Sequence, residues 1–254
     1  MILHPVIENL KQLRLKGVLE ALTMQMVNAE SGKLPFEERL ALLFEHEIAM
    51  RQNRKLQIRL KNAKLKESAC MQDVIYEASR KLDKSLILSF ESCDWITKYR
   101  NILITGATGT GKSYLAQALA HNACLKGFEV LRVQFPKVLH QLTAAKADGS
   151  YLKMQTHLAK VDVLLMDDFG IVPFTDEHRR DLWEIIDDRY NKKSTVITSQ
   201  LPVEDWHDVI GDSTLADAIL DRLVHNAYRV ALEGESMRKK ITTKSNKESC
   251  HEKI

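Results

Sequence analysis

The sequence lacks the features that mark membrane, secreted and zinc-binding proteins. No run approaches the ~18 consecutive apolar residues that a membrane-spanning helix needs. The N-terminus has no charged region followed by an apolar one, so no signal peptide is expected. The four cysteines are far apart and have no C-x-x-C spacing, and such cysteines are typically reduced thiols. The nine histidines have no zinc-ligand spacing. These absences predict a cytoplasmic protein without a membrane partner.

The composition is that of an ordinary globular protein. Hydrophobic residues make up 44% of the 254 residues, and charged residues make up 28%. This length suits one medium domain, alone or with a small helical appendage. The net charge of +3 says little about partners, so the distribution of the charges matters more.

Two hydrophobic patterns divide the chain. Over residues 1–67 apolar residues recur at helical spacing, Gly17 is expected to end the first helix, and Pro35 suits the start of a later one. From Ile102 short apolar strands alternate with helices, which indicates a parallel sheet covered on both faces. We therefore predict an α/β protein whose parts are a small all-helical N-terminal domain (1–67), a linker (68–95), a P-loop domain with a parallel sheet (96–240) and a basic, disordered tail (241–254). The predicted strands are 101–105, 128–135, 161–166 and 195–199.

A complete P-loop pattern follows the first predicted strand. The run that matches G-x-x-x-x-G-K-[ST] is Gly106-Ala107-Thr108-Gly109-Thr110-Gly111-Lys112-Ser113. Glycines let the backbone wrap a phosphate, and the start of the following helix adds positive potential. Lys112 is then placed for the β- and γ-phosphates, and the Ser113 hydroxyl is placed to ligate Mg²⁺. The pattern predicts ATP and Mg²⁺ as cofactors.

Two carboxylates end the apolar strand that precedes residue 167. In a parallel sheet they lie beside the P-loop, so Asp167 is the expected partner of Mg²⁺. Asp168 stands where a base would orient the attacking water, a role that glutamate usually has. Because aspartate is one methylene shorter, hydrolysis is expected to be slow or to need a partner that tightens the geometry. Taken alone, the pair could also be a solvated strand end.

Further polar residues lie where a nucleotide site needs them. Thr198 and Ser199 end another strand, at the edge of the sheet that faces a ligand. Arg222 and Arg238 follow later, and arginine suits the charge of a phosphoryl-transfer transition state because it holds a fixed fork of donors. Taken alone, Arg222 is more simply explained as an exposed helix arginine, and the same holds for Arg238.

With these motifs in this order, the chain resembles an AAA+ ATPase. More specifically it resembles the IstB family, the ATP-binding helper proteins of bacterial insertion sequences, which is similar to the DnaC and DnaA group of helicase loaders and initiators. The resemblance spans nearly the whole chain, and its hallmark stretches are 198–206 and 234–238.

The resemblance implies a role for each matching residue. Arg222 would be the arginine finger that reaches a neighbouring subunit's nucleotide, and Arg238 would be the sensor-2 arginine. Thr198 or Ser199 would be sensor 1, where many AAA+ proteins use asparagine. A finger acting in trans requires a homo-oligomer, so ATP would control assembly around DNA.

A basic segment over residues 51–66 is the candidate DNA interface. It contains seven basic residues and no acidic one, and its candidate contacts are Arg51, Arg54, Lys55, Arg59, Lys61 and Lys64. Such a helix would bind duplex DNA through phosphates, with strong salt dependence and little sequence specificity. A solvated helix or an acidic protein partner would explain the same pattern. A weaker second candidate is formed by Lys137, His140, Lys146 and Lys153.

The functional prediction is an ATPase that assembles on target DNA and helps a cognate transposase in insertion-sequence transposition. Two alternatives stay open. One is a DnaC-like loader of a replicative helicase, and the other is an ATP-gated scaffold that does not hydrolyse ATP, which Asp168 in place of glutamate allows.

Overall fold

The computed structural model of the protein describes residues 3–66 and 69–237. The chain divides into two compact units, Met1–Ile58 and Arg59–Ile254. The domain limits expected at residues 67 and 95 stay predictions, and the predicted tail at 241–254 lies outside the described residues. Within the described part of the chain, no helix combines the length and the hydrophobicity needed to cross a membrane.

The first unit is helical, as the sequence predicts. Its helices are α1 (Leu3–Gln12), α2 (Lys16–Val27) and the start of α3 (Phe36–Ala63). Pro35 immediately precedes α3, where its missing N–H is not needed. The 28-residue α3 continues past the boundary into the second unit, so most of the predicted basic segment lies on one unbroken helix.

The prediction that Gly17 ends the first helix was wrong. The first helix already ends at Gln12, and Gly17 is a buried residue in the first turn of α2. A β-carbon at Gly17 would lie 2.7 Å from the Cα of Glu47, so glycine permits a close approach of α2 and α3. The N–H groups of Gly17 and Val18 donate to the Glu47 carboxylate at 2.6 and 3.1 Å, which caps α2.

The second unit is built on a five-stranded sheet in which every pairing is parallel. The strand order is β2-β3-β4-β1-β5. The strands are β1 (Asn101–Gly106), β2 (Val130–Gln134), β3 (Val163–Phe169), β4 (Ser194–Ser199) and β5 (Ala227–Leu232). The predicted parallel sheet is confirmed, and β5 is an additional strand. β2 is shorter than predicted because Phe135 already begins a helix.

Helices flank the strands of this unit. They are α4 (Lys84–Ser89), α5 (Asp94–Thr97), α6 (Lys112–Leu125), α7 (Phe135–Asp148), α8 (Tyr151–Lys160), α9 (Asp176–Arg189), α10 (Trp206–Ile210) and α11 (Ser213–Val224). The inner strands β1, β3 and β4 are buried along their apolar runs, as expected of parallel strands covered on both sides. Their carboxyl ends meet at one edge of the sheet, where Thr105 lies opposite Ser199.

The segment expected to be a linker carries short helices and buries apolar side chains. Ile87 and Cys93 are buried, and the Phe90 ring packs against Tyr228 of β5 with centroids 5.1 Å apart. The side-chain amide of Asn122 on α6 donates to the Glu91 carbonyl at 3.0 Å. Residues 69–95 therefore pack onto the sheet-containing unit.

Candidate functional site

The predicted P-loop connects β1 to α6 and has the conformation that its glycines allow. The φ angles of Gly106, Gly109 and Gly111 are 143°, 88° and 94°, a region that side chains disfavour. A β-carbon at Gly106 would lie 2.1 Å from the Leu232 carbonyl oxygen, and one at Gly109 would lie 2.3 Å from the Ser236 hydroxyl. The loop therefore needs glycine for space as well as for conformation, and it ends at the N-terminus of a 14-residue helix, which favours anions.

Side chains of the loop close it on itself. The buried Lys112 ammonium donates to the Ala107 carbonyl at 2.8 Å, so it spans the inside of the loop. Thr110 also donates to Ala107, at 2.9 Å. Thr108 donates to the side-chain oxygen of Gln200 at 2.7 Å, which joins the loop to the segment after β4. The P-loop residues named from the sequence thus form one cradle with a cation inside it.

The two predicted Mg²⁺ ligands lie in contact. The Ser113 hydroxyl, at the start of α6, donates to the Asp167 carboxylate at 2.9 Å. Asp167 is buried at the end of β3, and its same oxygen accepts a hydrogen bond from the Thr198 hydroxyl on β4. A hydroxyl and a carboxylate are the hard oxygen ligands that Mg²⁺ prefers. This pair therefore fits the ion that the P-loop predicts.

Arg132 is a site residue that the sequence analysis missed. It lies on β2, and its guanidinium donates to the second oxygen of Asp167. The two side chains are only 6% and 4% exposed, so each charge depends on the other. An arginine inside an apolar strand of a parallel sheet is a detectable signal, because a buried cation needs a partner. Arg132 fixes the carboxylate so that its other oxygen faces Ser113 and Thr198.

Asp168 lies at an irregularity in β3. The pairing of β3 with β4 shifts register between Met166 and Phe169, and Asp168 has a φ of 66°. Aspartate tolerates this left-handed conformation better than most residues. Burial and the neighbouring Asp167 charge raise the pKa of Asp168, while the charges of Arg132, Lys112 and Lys66 oppose the rise. Cations thus surround the carboxylate pair.

The two sensor-1 candidates have different surroundings. Thr198 contacts both carboxylate residues, because its hydroxyl donates to Asp167 and accepts the Asp168 N–H at 3.2 Å. The buried Ser199 hydroxyl instead donates to the Phe169 carbonyl at 2.9 Å and accepts the Leu201 N–H at 3.1 Å. The structure therefore brings Thr198 to the carboxylates, while Ser199 fastens the backbone behind them.

Substituting these two neighbours in turn distinguishes their roles. We expect Thr198→Val to lower kcat about tenfold, because a hydrogen bond to a charged group is lost, while ATP affinity changes less than about threefold. We expect Ser199→Ala to reduce thermal stability and to leave kcat within about threefold of wild type. Steady-state ATPase assays with both variants make the comparison. The reverse order of effects would assign the sensor role to Ser199.

Arg222 lies at the opposite edge of the sheet from the P-loop of its own chain. It lines a small cleft with Asn101 and Thr195, which lie at the start of β1 and of β4, whereas the P-loop follows the other end of β1. The five steps of ~3.3 Å from Asn101 to Gly106 separate the two edges by about 17 Å. Its guanidinium donates to Asp187 at 2.7 Å and lies over the Tyr190 ring. Arg222 is therefore not part of the site in its own chain.

The chain after β5 lies against the P-loop. The Met237 N–H donates to the Gly109 carbonyl at 2.9 Å. The predicted sensor-2 arginine, Arg238, is the next residue and lies outside the described residues.

Arg80 is a second residue of this region that the sequence analysis missed. Its guanidinium donates to the carbonyls of Ile75 and Thr110, the latter at 2.8 Å, and the side chain is buried. A β-carbon at Gly111 would lie 2.9 Å from it. Arg80 therefore supports the P-loop from the segment before β1. Nothing in the composition of that segment distinguishes a buried arginine from an exposed one.

The candidate DNA residues separate into two groups. Arg54, Lys55, Lys61 and Lys64 are exposed and form no ion pair within the described part of the chain. Arg51 pairs with Glu47 at 2.6 Å, and the guanidinium of Arg59 donates to the Cys124 carbonyl at 3.1 Å.

In the second candidate group, Lys146 is committed to other partners. Its ammonium pairs with Glu177 at 2.9 Å and with Asp181 at 2.7 Å. These contacts join α7 to α9, so this lysine has a structural role.

Comparisons with known proteins agree with this geometry. An insertion sequence ATP-binding protein of Sinorhizobium fredii, y4pL, is 44% identical over 245 residues, which cover 96% of this chain and all of the relative. AMPPCP-bound DnaA from Aquifex aeolicus superposes with a TM-score of 0.59 at 20% identity, covering 73% of this chain and 56% of DnaA. The DnaC helicase loader gives 0.55 at 20% identity, covering 65% of this chain and 97% of DnaC. These two structures show the AAA+ fold. The profile of the IstB-like ATP binding protein family matches residues 8–245, and the chain therefore belongs to that family.

Proposed function

We propose that this protein is an ATPase that assembles on duplex DNA in its ATP-bound state and presents that DNA to a cognate transposase. Lys112 would hold the phosphates of ATP at the P-loop, and Ser113 and Asp167 would hold Mg²⁺, which would supply charge stabilisation for phosphoryl transfer. Asp168 orients the attacking water, and hydrolysis dismantles the assembly. Family membership supports ATP binding and the link to insertion sequences.

One observation carries the DNA part of the proposal. Four exposed cations, Arg54, Lys55, Lys61 and Lys64, lie along the end of α3 and just beyond it, without an acidic residue between them. Such a row neutralises backbone phosphates, releases counterions and reads little sequence. Arg51 and Arg59, which are already bonded within the protein, contribute less than the sequence analysis expected.

The position of Arg222 supports assembly into oligomers. Arg222 lies at the edge of the sheet that is remote from the P-loop of its own chain. It can therefore contact a nucleotide only when the P-loop of a second copy of the chain lies against that edge. Its ion pair with Asp187 is partly exposed, and ion pairs near the surface contribute only about 0–1 kcal/mol, so breaking this pair to bind a phosphate would cost little.

The helicase-loader alternative shares this fold but needs a different partner. The chain covers nearly the whole DnaC structure, yet at 20% identity that likeness concerns the fold alone. A binding experiment that offers the protein a transposase or a hexameric helicase distinguishes the transposition helper from the helicase loader. A measured ATP turnover, with and without DNA, separates both from a scaffold that does not hydrolyse ATP.

The DNA interface is tested by the salt dependence of binding. Substituting glutamine for Arg54, Lys55, Lys61 and Lys64, singly and together, removes phosphate contacts. Each substitution is expected to reduce the slope of log K against log salt by about one unit and to weaken binding to unrelated duplexes equally. Fluorescence anisotropy from about 50 to 200 mM salt measures the slope.

A matched control for these variants is Lys192→Gln, which removes an exposed lysine of the turn before β4. It is expected to leave the slope unchanged. If the fourfold variant keeps the wild-type slope, the basic segment is not the DNA interface.

A further inference from the structure

The end of the basic segment is attached to the helix that begins at the P-loop. The Arg59 guanidinium donates to the carbonyl of Cys124, near the C-terminus of α6. Ala63 is completely buried, and farther along the chain the Lys66 N–H donates to the side chain of Gln117 at 2.8 Å. Residues 59–66 therefore run antiparallel to α6, from its C-terminus towards the P-loop.

Gln117 joins this segment to the metal-binding turn. Its side chain is 2% exposed, so its amide is held by the protein and not by solvent. The amide oxygen accepts the Lys66 N–H, and the amide nitrogen donates to the Ser113 carbonyl at 3.2 Å. Ser113 in turn donates its hydroxyl to Asp167. One buried amide thus separates the basic segment from the residue that ligates Mg²⁺.

The charges at this junction support the same connection. α3 ends at Ala63, Lys64 takes a left-handed φ of 55°, and the chain then turns towards the site. Lys61 and Lys64, which face solvent, lie only a few residues before the Lys66–Gln117 hydrogen bond. The phosphates of bound DNA would attract Lys61 and Lys64. Because these lysines lie close in sequence to Lys66, that attraction would act on the backbone that Gln117 holds.

We propose that Gln117 is a positioning residue that couples occupancy of the basic segment by DNA to the geometry of Ser113 at the Mg²⁺ site. The inference rests on the proposed function, because it explains how duplex DNA would regulate hydrolysis at that site. Coupling between two sites is reciprocal for binding, so bound ATP also strengthens the affinity of the basic segment for DNA.

The test uses the full-length protein and the variants Gln117→Leu and Gln117→Glu. Leucine removes the hydrogen bonds of the amide to Lys66 and Ser113. Glutamate keeps an acceptor for the Lys66 N–H but loses the donor to the Ser113 carbonyl. The matched control is Asn122→Leu, which removes another amide of α6 that bonds to Glu91 and not to the basic segment.

Three quantities are measured for each protein. They are the ratio of kcat with saturating duplex DNA to kcat without DNA, the Mg²⁺ concentration for half-maximal turnover in both conditions, and the Kd for DNA in the absence of ATP. Both Gln117 variants are expected to bring the kcat ratio within about twofold of one and to abolish the shift that DNA causes in the Mg²⁺ requirement. Their Kd for DNA without ATP stays within about twofold of wild type, and Asn122→Leu keeps the wild-type kcat ratio.

The outcomes separate the inference from the function on which it rests. If wild type responds to DNA and both Gln117 variants respond equally, the coupling role is overturned and the proposed function stands. If Gln117→Glu keeps the response to DNA while Gln117→Leu loses it, the hydrogen bond from Gln117 to the Ser113 carbonyl does not transmit the effect of DNA. The proposed coupling through Ser113 is then overturned. If wild type shows no response of turnover or Mg²⁺ requirement to duplex DNA, the coupling inference is overturned, whereas a wild type that does not assemble on duplex DNA with ATP would overturn the proposed function. A thermal melt of Gln117→Glu, the nearly isosteric change, shows whether a lost response reflects unfolding.

Discussion

Lys112→Ala is expected to weaken ATP binding about 10²-fold or more and to abolish nucleotide-dependent assembly on DNA. The ammonium lies inside the P-loop, where it donates to the Ala107 carbonyl. In the proposed ATP-bound state the phosphates would replace that carbonyl as its partner. Charge-assisted hydrogen bonds to phosphate are about twice as strong as neutral ones, and two phosphates share this cation. Titration with a fluorescent ATP analogue measures the affinity, and mass photometry on duplex DNA measures the assembly.

The control for this variant is Lys126→Ala, which removes an exposed lysine just after α6 and far from the loop. It is expected to leave both measurements unchanged. DNA complexes of Lys112→Ala that match wild type in size and number, with and without ATP, would remove ATP control of assembly from the mechanism. In that case, weaker ATP binding by the variant would not be enough to support ATP control of assembly.

The P-loop domain could be predicted because its signals are local. Three glycines at fixed spacing have positive φ angles, and the apolar runs of β1, β3 and β4 need burial on both faces. β5 was missed for the opposite reason. It is an edge strand that follows α11 closely, and its exposed Arg229 and Ala231 alternate with buried residues, so its apolar signal is weak.

The contacts within the site could not be predicted from residue type. Thr198 and Ser199 are adjacent polar residues, and because successive side chains of a strand face opposite sides, only the register with β3 decides which one meets Asp167. Arg80 and Gln117 act through single long-range hydrogen bonds, to Thr110 and Lys66, that leave no trace in periodicity. Gly17 misled the prediction because its small size serves packing against Glu47 and not a helix end.

Arg222→Ala is expected to retain ATP binding within about threefold and to lower turnover by about 10³-fold or more. Arginine fingers contribute at least this much to phosphoryl transfer, whereas the residue lies too far from its own P-loop to affect affinity there. Its surface pair with Asp187 contributes little to stability, so the variant folds. Arg180→Ala, which removes an exposed arginine of α9, is the matched control and keeps wild-type turnover.

Mixing two inactive variants shows whether the finger acts between subunits. Arg222→Ala keeps an intact P-loop without a finger, and Lys112→Ala keeps the finger without a working P-loop. In a head-to-tail interface, the P-loop of the first variant meets Arg222 of the second, so turnover reappears, at up to about one quarter of wild type for an equal mixture. Full turnover by Arg222→Ala alone would show that Arg222 is not the finger. Loss of turnover that mixing does not restore would place the effect of Arg222 inside its own subunit, through its contacts with Asp187 and Tyr190.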